Sequence, residues 1–458
     1  MGKKGNATDK TIAKIIENHR KEEKKKQGYT DDIDTSQAIK IDNYIDNVKL
    51  YIDHQPFFYD KAGIFWFWNK EKFKWEIWDE TDVMNDIDDK LGFCGQTVGT
   101  VVKGKYMEAF RRVGRKNTPK DTKKTWIQFR DKIVDVITSE EFNATPKHFM
   151  TNPLPHRIGE SHETPTMDRI FTEWVGLDNI RTLYEIIAYC TLPDYPISRI
   201  FCFLGGGMNG KSKFLELIKR FLGEDNTTST ELDSLINSRF EVTKLFKKLA
   251  CFMGETNFNE IHKTSMLKKL SGGDLIGYEM KNKNPFDGKN YAKILIATNN
   301  LPSTSDKTMG FYRRWLLIDF PNSFNEKKDI LDDIPEEEYD NLSLKVISIL
   351  HGILTKREFI NEGTVEDRAK KYEDRSNPLD KFLNEFTEDS YDGHIFKYDF
   401  KKRFNEWCRE NKYRKLSDIE LFKIMKTKYN DSKRQANWAR DSQEKPILWV
   451  WEGLGWKE

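Results

Sequence analysis

The stretch Phe201-Cys202-Phe203-Leu204-Gly205-Gly206-Gly207-Met208-Asn209-Gly210-Lys211-Ser212 decides how this chain is read. Four apolar residues predict a strand, a glycine-rich turn follows, and the apolar, basic run Phe214 to Phe221 predicts a helix. The turn has the spacing G-x-x-x-x-G-K-[ST], which cradles nucleotide phosphates. Its glycines, Gly205, Gly206, Gly207 and Gly210, let backbone N–H groups turn inward around an anion, with Met208 and Asn209 completing the loop. The new helix adds unpaired N-terminal donors, and Lys211 adds a point charge for the outer phosphates. Ser212 supplies the hydroxyl that a nucleotide-bound magnesium ion needs. A nucleoside triphosphate is therefore expected, but the loop alone leaves its use open.

Three downstream segments bear on that use. The apolar run Leu249 to Met253 ends in Gly254-Glu255-Thr256-Asn257. Hydrolysis needs a carboxylate at the end of a strand beside the phosphate loop, to activate water and help hold magnesium, and Glu255 is placed for both tasks. A second apolar run, Tyr291 to Ala297, ends in Thr298-Asn299-Asn300-Leu301-Pro302. An amide there can bond both the water and the γ-phosphate; Asn299 is the first choice and Asn300 its close alternative. Gly310-Phe311-Tyr312-Arg313-Arg314-Trp315 then places two arginines just before a strand, where one can serve as an arginine finger for a neighbouring subunit. The competing reading of the pair is a structural ion pair. Between the two apolar runs, Tyr278 to Phe286 predicts a hairpin tip whose Lys281 and Lys283 could track a phosphate backbone.

Composition sets the frame. The chain has 458 residues, 33% of them charged, with a net charge of only +2, so any nucleic-acid surface must be local. That length corresponds to about three domains. Cys94, Cys190, Cys202, Cys251 and Cys408 are scattered without a C-x-x-C pair, which predicts reduced core thiols and argues against zinc. The sequence contains neither a run of eighteen apolar residues nor a hydrophobic N-terminus, so a soluble protein of the host-cell cytoplasm without a membrane partner is expected.

In chain order, residues 1–40 predict a basic, flexible arm, with nine Lys or Arg against four acids between Gly2 and Lys26. Residues 41–162 predict an aromatic-rich α+β domain. Its Phe65-Trp66-Phe67-Trp68 and Phe73-Lys74-Trp75-Glu76-Ile77-Trp78 form a hairpin, with Phe73, Trp75 and Ile77 on the buried face. Helices are expected over Asp82 to Leu91, Thr125 to Thr138 and Met167 to Leu192. The nucleotide-binding domain covers 163–355, a helical connector 356–377, and the last unit 378–458. In that unit helices over Leu379 to Phe386, Tyr398 to Trp407 and Ile419 to Tyr429, the third opened by the capping box Ser417 to Glu420, precede strands near Gln435 to Ala439 and Pro446 to Trp451. That is the order of a winged helix. Between Ile395 and Arg440 fourteen Lys or Arg face six acids, and Lys423, Lys426, Lys433 and Arg434 are the candidate phosphate contacts, with a protein-docking module as the alternative use.

Taken together, G-x-x-x-N-G-K-S, apolar-strand-Glu, L-K-K-L-S-G-G-D, apolar-strand-T-N-N-L-P and F-Y-R-R-W make the chain resemble the superfamily III helicases of the AAA+ class, in the phage, plasmid and large-virus primase-helicase branch. The resemblance implies an α/β AAA+ core between an N-terminal α+β domain and a C-terminal winged helix. It also implies a homo-hexameric ring that binds ATP and Mg2+, translocates on single-stranded DNA and unwinds forked DNA in replication. Carried over by position, Lys211 and Ser212 bind phosphate and magnesium, Glu255 activates water, Asn299 senses the γ-phosphate, Arg313 or Arg314 is the finger, and Lys281 and Lys283 contact DNA. Many relatives carry a primase-polymerase domain; the roughly 160 residues before the ATPase are too few for it beside the aromatic domain, so no primer synthesis by this chain is expected, and a separate primase or polymerase could supply it. An ATP-switched origin-binding initiator with little unwinding is the competing function, and a small-molecule kinase the third.

Overall fold

The computed structural model describes residues 43–92, 100–254, 260–280, 283–325, 329–411, 413, 415–435 and 446–457. Its centre is a sheet of five parallel strands: β1 (Ile200–Leu204), β2 (Thr227–Ser229), β3 (Ala250–Met253), β4 (Lys293–Thr298) and β5 (Trp315–Asp319), in the spatial order β5-β1-β4-β3-β2. Near-continuous apolar runs make these strands because both faces are covered. Along β1, alternate side chains go to opposite sides. Phe201 and Phe203 join the larger core, beneath α1 (Lys211–Leu222), α2 (Glu336–Lys356) and the helices Pro165–Val175 and Ile180–Thr191; Ile200, Cys202 and Leu204 join a second core that includes the Ser265–Gly272 helix and Tyr372 of α3 (Val365–Ser376).

The single helix predicted over Met167 to Leu192 is two helices, broken at Gly176, whose φ of +78° is a left-handed conformation that costs glycine little. The helix predicted over Thr125 to Thr138 is instead a hairpin, Trp126–Phe129 with Lys132–Asp135, turning at Arg130 with φ +47°. Its Ile127, Phe129, Val134 and Val136 enter the larger core, a burial that suits a two-residue period as well as a helical one.

Nearer the N-terminus, Phe65–Asn69 is the middle strand of three, flanked by Phe57–Tyr59 and Lys74–Trp78. Phe65 and Phe67 pack with the helices Tyr44–His54, Glu80–Gly92 and Thr100–Gly114, and Trp66 and Trp68 pack on the opposite face with Trp75 and Ile133. The aromatics of the middle strand are thus core on both faces. The expected alternation fails in the third strand: Ile77 is exposed and Lys74 buried, its ammonium 2.8 Å from Asp225 of the nucleotide-binding region. Docking against that carboxylate overrides hydropathy there.

The C-terminal region comprises α4 (Pro378–Phe386), β6 (Thr387–Phe396), α5 (Lys397–Glu410), α6 (Asp418–Lys428), β7 (Asp431–Gln435) and β8 (Ile447–Trp456), its antiparallel strands in the order β6-β8-β7. The capping box forms, with Ser417 Oγ accepting from the Glu420 N–H and the Glu420 carboxylate accepting from the Ser417 N–H. Strand β6 is absent from the sequence prediction because Thr-Glu-Asp-Ser-Tyr-Asp-Gly is polar and carries a register shift between Asp389 and His394. The first predicted wing strand lies earlier than expected, over β7, and residues 436–440 lie outside the described residues. Cys190, Cys202, Cys251 and Cys408 are buried thiols; burial pushes those of Cys190, Cys251 and Cys408 up to about 12. No described helix is long and apolar enough to cross a membrane.

Candidate nucleotide site

From β1 the chain crosses to the far edge at β2 and returns through β3 to β4 beside β1, and the next connection then passes over β1 to β5 on its other side, so the direction of winding reverses at β1. A crevice at the carboxyl ends of strands, at such a switch point, is where open α/β sheets bind ligands. Leu204 pairs with Thr298 on one side and Asp319 on the other, so the glycine loop starts where Asn299 and Phe320 begin.

Lys211 anchors the loop from within. It is only 6% exposed, and its ammonium donates to Gly205 O (2.8 Å), Asn209 Oδ1 (2.9 Å) and Asn299 Oδ1 (3.1 Å). Asn209 is buried too, and its Nδ2 donates to Phe320 O at 3.2 Å. One lysine and one asparagine therefore tie the loop to the ends of both flanking strands. The Phe324 N–H adds a bond to Met208 O at 2.7 Å.

The glycines have separable reasons. A Cβ on Gly205 would lie 1.8 Å from Asn209 Nδ2 and 2.5 Å from Phe320 O. Gly210 has φ +91°, and a Cβ there would meet the Trp174 ring at 2.4 Å. Around Gly206 and Gly207, by contrast, a Cβ would meet nothing within 4 Å, so the outer loop opens to space a phosphate chain could fill. Gly207 and Met208 are both left-handed, with φ of +96° and +45°. Met208 and Ser212 are exposed, Ser212 in the first turn of α1. The donors, the lysine and the exposed hydroxyl fit a magnesium-bound triphosphate.

Asn299 and Asn300 now differ. Asn299 reaches Lys211, whereas the Asn300 backbone closes a turn with Thr298, its N–H donating to Thr298 Oγ1 (3.2 Å) and its carbonyl accepting from that hydroxyl (2.8 Å). The carboxylate was expected beside the loop, but β3 is next but one to β1, with β4 between them. Glu255 itself lies outside the described residues, as does Lys281.

The arginines sit at the opposite end of the strands from the loop, just before β5, which neighbours β1. Trp315 pairs with Ile200, at the start of β1, and the Ile200 N–H donates to Arg314 O at 2.5 Å. With about 3.3 Å per residue, roughly 13 Å of strand separates this end from the loop. Arg314 is 7% exposed; its guanidinium donates to Ser271 Oγ (3.1 Å), to Lys268 O (3.3 Å) and to Gly310 O, and burial and the neighbouring Arg313 lower its pKa from the ordinary value. Ser271 and Lys268 belong to the L-K-K-L-S-G-G-D segment, which thus serves as the arginine's seat. Arg313 is exposed.

The basic candidates also separate. Lys283 caps the turn of the hairpin Leu275–Tyr278 with Phe286–Lys289, close enough to Asp79 for its charge to be felt there. Arg434 is held in a two-pronged pair with Glu452 at 2.8 and 2.7 Å. Lys423, Lys426 and Lys433 are exposed, with Lys426 3.7 Å from Asp431. Sequence reasoning missed the support Trp174 gives to Gly210; a tryptophan in the helix before a phosphate loop was the available signal.

Residues 203–314 match the model of a family of unknown function (DUF5906), from within β1 to Arg314. The chain is 25% identical over 162 residues to "Putative helicase L207/L206" of Acanthamoeba polyphaga mimivirus, a match covering 34% of this chain and 17% of that relative's length. Among solved structures, the chain is similar to the apo C-terminal region of NrS-1, with 12% identity, a TM-score of 0.46 and coverage of 83% of this chain and 84% of that one. A second structure of that region (305–718) aligns with 14% identity, a TM-score of 0.46 and coverage of 84% and 85%.

Proposed function

We propose that this chain is an ATP-driven helicase acting on nucleic acid in replication, of the superfamily III, AAA+ kind. The observation that carries the reading is the Lys211 ammonium, held at the base of an open glycine loop by Gly205 O, Asn209 and Asn299. These acceptors position the lysine before any nucleotide arrives. The likeness to a mimiviral protein with a helicase name supports the reading from a different direction.

In this account the loop N–H groups and Lys211 bind the phosphates of ATP, and Ser212 holds Mg2+, which supplies charge neutralisation at the outer phosphates. Asn299, beside Lys211, bonds the γ-phosphate and reports its presence to β4. Glu255, two residues past β3, orients the attacking water. Arg313, exposed and at the opposite end of the strands from its own loop, supplies positive charge to a neighbouring subunit's site, which makes the working form an oligomer, with a homo-hexamer as the specific proposal. Single-stranded and forked DNA are the proposed tracks. The helix and strand order from α4 to β8, with the third strand β6, supports a winged helix.

The test is displacement of a labelled strand from a forked duplex. Wild-type protein with ATP and Mg2+ is expected to release the strand, and Lys211→Ala to release none. Binding of the fork without ATP-dependent displacement would favour the ATP-switched initiator.

A further inference from the structure

Strand β8 begins Ile447-Leu448-Trp449-Val450-Trp451, and its register with β7 sets Trp451 opposite Asp431, Trp449 opposite Lys433 and Ile447 opposite Gln435. These three side chains share one face, since side chains alternate along a strand. Trp451 is fully buried, Trp449 is 49% exposed and Ile447 62% exposed. An apolar stripe thus leaves the core and runs into solvent, where a tryptophan is costly to leave half uncovered.

Its surroundings are basic. Lys433 Nζ lies 5.2 Å from the centre of the Trp449 ring and Lys397 Nζ 5.0 Å from it. The Asp431 carboxylate pairs closely with Lys397 and lies 3.7 Å from Lys426. Lys397 and Lys426 therefore share one acid while Lys433 adds a third positive charge beside the ring, so the rim keeps a positive excess.

We propose that Trp449 is a stacking site for an unpaired nucleic-acid base, with Lys433 and Lys426 meeting the adjoining phosphates. An exposed ring bordered by cations is how sequence-tolerant proteins hold single strands, because every base has a π-face to offer. Phosphate contact alone would need the lysines but not the ring, and a closed duplex offers its base faces to its own stack. The site therefore selects single strand over duplex and places the C-terminal region at the opened strand. This rests on the nucleic-acid reading proposed above.

The experiment measures binding of the full chain to a fluorescent oligothymidine of about 20 nucleotides and to a duplex of equal length. Trp449→Ala, Trp449→Phe and Lys433→Ala are compared with wild type, and thermal melting checks that each folds. Trp449→Ala is expected to weaken single-strand binding about tenfold and duplex binding less than about twofold, with Trp449→Phe retaining most affinity. Lys433→Ala should weaken both and reduce the salt dependence by about one counterion. Wild-type binding to the single strand with Trp449→Ala unchanged, or equal losses on both ligands, would overturn the stacking site alone. Failure of wild type to bind either ligand would overturn the nucleic-acid reading together with it.

Discussion

The guanidinium of Arg314 is enclosed by Ser271, Lys268 O and Gly310 O, while the next side chain back, Arg313, is exposed. Truncating a buried, bonded charge leaves its partners unsatisfied, whereas truncating an exposed one leaves the fold nearly untouched. Arg314→Ala is expected to cost about 3 kcal/mol of stability, and Arg314→Lys should not restore it, because an ammonium cannot serve three separate acceptors in the fork's geometry. Arg313→Ala should melt with wild type yet hydrolyse ATP at a small fraction of its rate. Thermal denaturation and steady-state turnover on the same preparations decide this, and the opposite pattern would exchange the two roles. Sequence alone could not separate these residues: both precede β5, and what distinguishes them is a helix more than forty positions upstream. The strand, glycine loop and helix from Ile200 to Leu222 were legible because their signals are local. The Lys211–Asn299 contact follows only when β4 lies beside β1.

At the scale of elements, Lys293 in β4 is the most constrained cation of the sheet. It is fully buried, donating to Asp194 O at 2.8 Å and to Leu192 O just past the helix Ile180–Thr191, with Tyr189 and Tyr195 against it. Burial pushes its pKa down to about 7. Between pH 7 and about 10.5 the unfolded chain holds a proton on this lysine that the folded chain lacks, so stability contributed by this group rises with pH across that window. Below pH 7 both states are protonated and the penalty of the buried charge is present in full. Relative to Lys293→Met, wild type is expected to gain about 3 kcal/mol between pH 7 and pH 10. Urea unfolding of both proteins at the two pH values reads the difference, and a constant gap would show that the lysine does not titrate there. Strands of this kind, apolar on both faces, are easily found in a sequence. The hairpin Trp126–Phe129 with Lys132–Asp135 was not, since its apolar residues satisfy a helical period as readily, and neither was β6, whose polar residues face solvent at a sheet edge.

For the whole molecule, the proposed reading of Arg313 as a finger for a neighbouring copy's loop makes catalysis depend on two copies. Mixing inactive Arg313→Ala protein with inactive Lys211→Ala protein should recover part of the activity, since some interfaces then join an intact loop to an intact arginine. No recovery at any ratio would place the catalytic arginine elsewhere. The central claim is that the glycine loop hydrolyses ATP in order to work on nucleic acid. Steady-state ATP hydrolysis by the full chain, with and without single-stranded DNA, tests it most directly: the account predicts turnover that rises severalfold with the DNA and vanishes in Lys211→Ala, and hydrolysis indifferent to DNA would contradict it.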